Sequence, residues 1–270
     1  MESSCEFTVL MSCYGNDNPI FLDKAIASLF ESTVLPSEIV LVVDGVIGLE
    51  LESVIDKWQT HDLLKVYRLE KNGGLGRALA FGLSKCRYDL VARMDSDDIN
   101  QNGRFKEQIL AFENDKDLVI CGTDIVEFDE KGNEYRRVVP RKMLNIIRYS
   151  RLRNPMNHVT VMFRRKEILA VGSYQSVLYF EDYFLWLKCL KLDYKMMNLP
   201  IVGVRVRAGR DMIGRRHGLS YIKHEWNFAE KSYREDLITF LQFSRILILR
   251  IPTRIMGRFF LRIVYKFLRM

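Results

Sequence analysis

Two rhythms of apolar residues alternate over the first 126 positions. Residues 7–13 form a short apolar run of the kind a buried strand shows. Leu22, Ala25, Ile26, Leu29 and Phe30 then recur at i, i+3, i+4, i+7 and i+8, one face of a helix. The unit repeats with residues 38–43 followed by Leu51, Val54, Ile55 and Trp58, and with residues 65–69 followed by Leu75, Ala78, Leu79 and Leu83. A fourth run, 90–94, enters the acidic cluster Asp95-Ser96-Asp97-Asp98, and Phe105, Ile109 and Phe112 mark the next helix. Strand and helix in alternation predict an α/β chain with a mostly parallel sheet, which binds ligands beyond the carboxyl ends of its strands.

Each of these runs ends in residues unsuited to a core: Tyr14-Gly15-Asn16-Asp17, Asp44-Gly45, Asn72-Gly73-Gly74 and the acidic cluster. Four polar ends on one rim predict a single site. The pattern changes after Leu118. Residues 118–128 and 135–139 flank Asp129-Glu130-Lys131-Gly132-Asn133, which suits a hairpin. Residues 159–163 read as a further strand, and Tyr183, Trp186, Leu187 and Leu190 as a helical face. This half is expected to face the acceptor. The expected organisation is a catalytic domain over 1–235, with a donor half 1–126 and an acceptor half 127–235, followed by a tail over 236–270.

Charge changes this picture only at the end of the chain. The protein carries 41 basic and 34 acidic residues, a net +7. Residues 237–270 contain no Asp or Glu, and their seven basic residues account for the whole excess. The neutral body gives no reason to expect a nucleic-acid partner. Arg250, Arg254, Arg258, Arg262 and Lys266 recur every four residues among Ile251, Ile255, Phe259, Phe260, Ile263 and Phe267. That stripe predicts an amphipathic helix lying on an anionic membrane surface, with Pro252 separating the last segment; the alternative is a helix docked on the enzyme's own core or on a second subunit. Helices over 220–233 and 237–249 are expected to lead into it. No apolar run approaches the ~20 residues needed to span a bilayer, and the polar, acidic N-terminus lacks the pattern of a secretory signal. The five cysteines form no CxxC pair, so small core side chains in a reducing cytoplasm are expected.

Asp95 and Asp97 present two carboxylates one residue apart at a strand end, and Asp98 a third. Such hard oxygens suit a divalent ion that neutralises charge on a departing diphosphate; a solvated turn capping the next helix is the alternative. Asp44 could accept a hydrogen bond from a nucleobase or simply form a turn with Gly45. Asn72-Gly73-Gly74-Leu75-Gly76-Arg77 departs from both the dinucleotide and P-loop spacings, yet would let backbone amides and Arg77 approach a phosphate or ribose. Glu181-Asp182 offers two acids at the head of an aromatic helix, either as a base for an acceptor hydroxyl or as helix-capping acids. His158, in Asn154-Pro155-Met156-Asn157-His158, could line a sugar pocket or be structural. Arg205, Arg207, Arg210, Arg215, Arg216 and His217, set among Gly209, Gly214 and Gly218, are expected to form a mobile basic loop or a plain solvated one.

Taken in order over residues 7–225, these motifs resemble glycosyltransferase family 2, the inverting GT-A enzymes, and within it bacterial enzymes that build O-antigen and exopolysaccharide units. The resemblance implies a GT-A fold: a Rossmann-like, mostly parallel sheet flanked by helices, followed here by the amphipathic tail. It implies that Tyr14, Asp17, Asp44, Asn72 and Arg77 contact the donor nucleotide, with His158 and Arg207 near the diphosphate. Asp95 would contact ribose or diphosphate and share the metal, Asp97 would be its principal ligand, Asp182 the base, and Glu181 the residue orienting the acceptor. It further implies a UDP-sugar donor, Mn²⁺ or Mg²⁺, a lipid-diphosphate-linked sugar acceptor and a peripheral position on the cytoplasmic face of the bacterial inner membrane. The residues alone also admit nucleotidyl transfer, disfavoured by the lack of a glycine-rich basic loop near the N-terminus, and a catalytically silent membrane-surface protein.

Overall fold

The computed structural model describes residues 5–129, 131–208 and 218–255. The first apolar runs become strands β1 (Phe7–Tyr14), β2 (Glu38–Asp44), β3 (Leu64–Leu69) and β4 (Leu90–Arg93). Between them lie helices α1 (Pro19–Phe30), α2 (Leu49–Gln59) and α3 (Leu75–Lys85). Asn18 caps α1 by accepting from the Ile20 and Phe21 amides, with Pro19 preset for the first turn. After the acidic cluster come the two-residue strand β5 (Ile99–Asn100) and α4 (Arg104–Asn114).

The second half supplies β6 (Leu118–Phe128), β7 (Glu134–Arg137), α5 (Met143–Ser150), β8 (Met162–Arg164), α6 (Arg165–Ala170), α7 (Glu181–Lys191) and β9 (Lys195–Arg207). In the sheet the order is β3-β2-β1-β4-β8-β6-β9-β5, with β7 paired to β6. β3, β2, β1 and β4 run parallel, β8 is antiparallel to both β4 and β6, and β9 is parallel to β6. Alternate strand residues face opposite layers. Val9, Met11, Ile39 and Leu41 pack with Leu22, Ile26, Ile55, Phe105 and Phe112 of α1, α2 and α4. Leu10, Val40, Val42 and Val91 pack with Leu79, Leu83, Leu185 and Trp186 of α3 and α7. Burying the sheet on both sides is why its strands read as continuous apolar runs.

The hairpin expected around Asp129 forms: β6 and β7 pair antiparallel, and Asp129 Oδ1 accepts from the Lys131 and Asn133 amides at 2.9 Å. Two strand expectations shift. Residues 158–160 form a turn of 3-10 helix, and the strand starts only at Met162. β9 has no counterpart in the reading above. Its register against β6 slips between Thr123–Leu199 and Asp124–Val202, where Pro200 leaves the ladder, so no unbroken apolar pattern marks it.

Two C-terminal helices follow, α8 (Leu219–Arg234) and α9 (Phe240–Ile255), and α9 runs through Pro252 without a break at that residue. Phe228 and Ile246 are fully buried in a cluster with Phe180, Tyr183 and Phe184 of the α7 region. Arg250 and Arg254 depart from the lipid-facing stripe expected for them: both form ion pairs with Glu225 of α8, whose side chain is fully buried. The buried Glu225 carboxylate draws them inward, as in the docked alternative, while Ile248 and Leu249 of α9 stay exposed. Arg258, Arg262 and Lys266 lie outside the described residues. Among the described residues no helix is long and apolar enough to cross a membrane.

Candidate active site

The polar strand ends converge. Tyr14 and Asp44 sit side by side in the β1–β2 register. Asp44 is buried, and its two carboxylate oxygens accept from the Gly73 and Gly74 amides, each at 2.8 Å. Gly45 adopts φ +88°, and a side chain there would lie 2.6 Å from the Asn72 amide nitrogen. Asp44-Gly45 therefore holds the Asn72-Gly73-Gly74 loop against the end of β2, and its acceptor lone pairs are already half used. Arg77 lies across this loop, its Cδ where a Gly73 side chain would go. Asn72 and Arg77 are both exposed on the rim.

Asp17 joins β1 to the acidic cluster. Its Oδ2 accepts from Ser96 Oγ at 2.7 Å and from the Tyr14 amide at 3.2 Å. Within the cluster one carboxylate oxygen each from Asp95, Asp97 and Asp98 lies within 4.8 Å of the others. The three differ in surroundings. Asp95 is held from below by an ion pair with Arg93, whose side chain is 1% exposed. Asp98 is buried and accepts the Arg207 amide at 2.8 Å. Asp97 is the exposed member. Desolvation first, and then Asp95 and Asp17, push the Asp97 carboxyl up to about 6; burial, Asp95 and Asp97 push Asp98 well above the ordinary range. Three carboxylates crowded this closely are a donor set of hard oxygens whose mutual repulsion a divalent ion would relieve, so the residues fit Mg²⁺ or Mn²⁺.

Arg205 and Arg207 belong to β9 rather than to the loop expected for them, because their segment completes the sheet beside β6. The Arg207 guanidinium sits 3.8 Å from the Phe21 ring centroid and 4.8 Å from that of Phe128, and its Nε donates to the Asp97 carbonyl at 3.3 Å. It clamps the backbone of the cluster. Arg205 pairs with Glu134. Gly209, Arg210, Gly214, Arg215, Arg216 and His217 lie outside the described residues.

Glu181 and Asp182 begin α7, which packs against α3. A side chain at Gly76, in the first turn of α3, would meet Glu181 Cγ at 2.8 Å, so the start of α3 and the acid pair are in contact. Glu181 is buried, which pushes its carboxyl up to about 7 despite some opposition from backbone hydrogen bonding. Asp182 Oδ2 accepts from Asn154 Nδ2, and Oδ1 from the Tyr183 amide at 2.7 Å. His158 Nε2 and Tyr174 Oη share a hydrogen bond at 3.0 Å. Burial and then the Arg93 charge push the imidazole well below its ordinary range, so it is neutral and carries one N–H.

Sequence reasoning assigned no role to Arg93, Ser96, Asn154 or Tyr174. Arg93 carried a signal, being an arginine inside an apolar strand run. Asn154 carried none, since its partner lies 28 positions away.

The profile of the family described as Glycosyl transferase family 2 matches residues 8–173. The chain belongs to glycosyl transferase family 2. This family 2 glycosyltransferase is 38% identical to the amylovoran biosynthesis glycosyltransferase AmsE of Erwinia amylovora, over 96% of this chain and 98% of AmsE. It is 37% identical to the Escherichia coli UDP-Gal:alpha-D-GlcNAc-diphosphoundecaprenol beta-1,3-galactosyltransferase, over 97% of this chain and 98% of that enzyme. The glycosyltransferase is also similar in structure to S. aureus TarS 1-349 in complex with UDP-GlcNAc, with TM-score 0.66, 16% identity and coverage of 90% and 70% of the two chains. The Pyrobaculum calidifontis mannosyltransferase PcManGT in complex with GDP-Man and Mn²⁺ matches with TM-score 0.63 and 17% identity, over 90% and 68%. These likenesses establish the GT-A fold, and the family match favours glycosyl over nucleotidyl transfer.

Proposed function

We propose that the protein is an inverting, metal-dependent hexosyltransferase. In this reading it moves glucose or galactose from a UDP-sugar to a hydroxyl of a polyprenyl-diphosphate-linked sugar and forms a β-linkage. The observation that carries the reading is the trio Asp95, Asp97 and Asp98, one carboxylate oxygen of each within 4.8 Å of the others, together with Arg93, which pairs with Asp95 and whose charge also acts on Glu181, next to the Asn154-bound Asp182. The E. coli relative, whose name specifies UDP-Gal, a diphosphoundecaprenol-linked GlcNAc and a β-1,3 product, supports UDP-galactose and β-1,3 as first choices.

On the donor side, Asp44 and the Asn72–Gly74 loop receive the nucleoside beside Tyr14 and Asp17, and Arg77 brings positive charge to the diphosphate. Asp97, with Asp95, would hold Mn²⁺ or Mg²⁺, which supplies neutralisation of the leaving diphosphate. Arg93 holds Asp95 in place and Arg207 holds the Asp97-Asp98 backbone. His158, neutral and bonded to Tyr174, lines the sugar end of the pocket.

On the acceptor side, Asp182 removes the hydroxyl proton as that oxygen attacks the anomeric carbon opposite the diphosphate. The new C–O bond forms while the bond to the diphosphate breaks, so an α-linked donor yields a β-glycoside and UDP. Glu181, protonated up to about pH 7, offers a hydrogen bond that orients the acceptor. A lipid-linked acceptor would bring the enzyme to the cytoplasmic face of the bacterial inner membrane. Residues 1–235 would form the catalytic unit and the basic residues of 236–270 would meet the membrane surface, with Arg250 and Arg254 already engaged by Glu225.

The test incubates the protein with UDP-glucose or UDP-galactose, Mn²⁺ and a synthetic polyprenyl-diphosphate-linked sugar, read by mass spectrometry. One added hexose and released UDP are expected. Release of pyrophosphate, or no transfer from any UDP-hexose, would contradict the proposal.

A further inference from the structure

Both sides of the Asn154–Asp182 hydrogen bond are anchored to the same pair of C-terminal helices. Phe180, just before the acid pair, stacks on Phe228 of α8 with ring centroids 4.7 Å apart, and Tyr183, just after it, lies 4.9 Å from the same ring. Tyr183 Oη donates to the Ser150 carbonyl at 2.6 Å. From α9, Arg250 Nη1 donates to the Leu152 carbonyl at 3.4 Å, two residues before Asn154. The same guanidinium lies 5.4 Å from the Phe180 ring centroid. One charged fork therefore reaches both the segment that carries Asn154 and the turn that carries Asp182. Glu225 fixes the fork by an ion pair with Arg250, while Arg254 Nε donates to its other oxygen at 2.9 Å.

A buried ion pair adds little net stability over apolar packing, because desolvation offsets the attraction, yet it does fix direction. We infer that Arg250, held by Glu225, is a positioning residue: it aligns Asp182 with the acceptor through the Leu152–Asn154 segment, so that docking of α9 sets the geometry of proton removal. The inference rests on the reading of Asp182 as the base. It makes the C-terminal helix pair part of the acceptor site, although none of its residues needs to touch substrate.

The test compares wild type, Glu225→Gln/Arg250→Met, Arg250→Lys, Asn154→Ala and the combinations with Asn154→Ala, using the UDP-hexose that supports transfer. A base misaligned from a distance costs about tenfold or more. The charge-free double variant is thus expected to lose about tenfold in transfer kcat, with the donor KM and the affinity for UDP unchanged; Arg250→Lys recovers most of the loss. Since both substitutions act on one hydrogen bond, adding Asn154→Ala to the double variant lowers kcat little further, whereas independent sites would multiply their losses. Unchanged kcat in the double variant, or multiplying losses, overturns the inference while leaving the base reading intact. Near-normal turnover in Asp182→Asn overturns the base reading, and the inference with it. Should the double variant fail to fold, Glu225→Gln, which leaves Arg250 in place without its ion pair, is measured with and without Asn154→Ala: a several-fold loss of kcat that Asn154→Ala does not multiply is expected, and an unchanged kcat or multiplying losses overturns the inference.

Discussion

The two sides of the site are built differently. On the proposed donor side the acids sit where neighbouring parallel strands end and are tied to groups beside them: Asp17 to Ser96, Asp44 to the Gly73 and Gly74 amides, Asp95 to Arg93. Strand order alone brings them together. On the proposed acceptor side Asp182 is tied to Asn154, 28 residues away, and both are braced by helices from the far end of the chain. The first arrangement rests on hydrogen-bonded strands and the second on helix packing, so loosening the second is expected to leave the first in place.

This difference can be broken by substitution. The largest effect is expected for Asp182→Asn, a loss of about a thousandfold in transfer kcat, measured by UDP release, with donor affinity unchanged. Asp97→Ala is expected to cost several hundredfold, about the worth of one transition-state electrostatic partner, and unlike Asp182→Asn to weaken donor binding in Mn²⁺ titration calorimetry. Asp44→Ala strands two loop amides inside the rim and is expected to destabilise the fold by about 2 kcal/mol in urea unfolding, along with weaker UDP binding.

A stability effect of the same order sharpens the comparison through pH. Glu181 binds its proton more tightly folded than unfolded, so its contribution to stability is present below its unfolded range and is lost as pH rises through about 7. Glu181→Gln has no such loss. Its stability relative to wild type should rise between pH 5 and 8, by no more than about 3 kcal/mol in urea denaturation.

The convergence of the polar strand ends was legible because parallel strands announce their ends: a continuous apolar run stops at Asp44 or Asp95, and the topology dictates that such ends share a rim. What could not be read locally was how each acid is held. The charge on Arg93 was visible in an apolar run, but its pairing with Asp95 required coordinates. Around α7 the Glu181-Asp182 pair could be singled out, whereas the partners of Asn154 and Arg250 could not, since nothing in a motif or a helical period says which carboxylate or carbonyl a distant side chain will reach. β9 escaped notice because Pro200 and a slipped register erase its alternation, and Arg205 and Arg207 were read as loop for the same reason. The inward turn of Arg250 and Arg254 shows the limit of a charge stripe: a regular basic spacing is compatible with lipid or with a buried glutamate, and Glu225 decided it for these two.

The separation of the two sides is tested most directly by calorimetric titration of Asp182→Asn and Asp97→Ala with the UDP-hexose donor and Mn²⁺, alongside transfer assays on the same samples. The account predicts wild-type donor affinity without transfer in Asp182→Asn, and loss of both in Asp97→Ala. Equal loss of donor affinity in the two variants would contradict it.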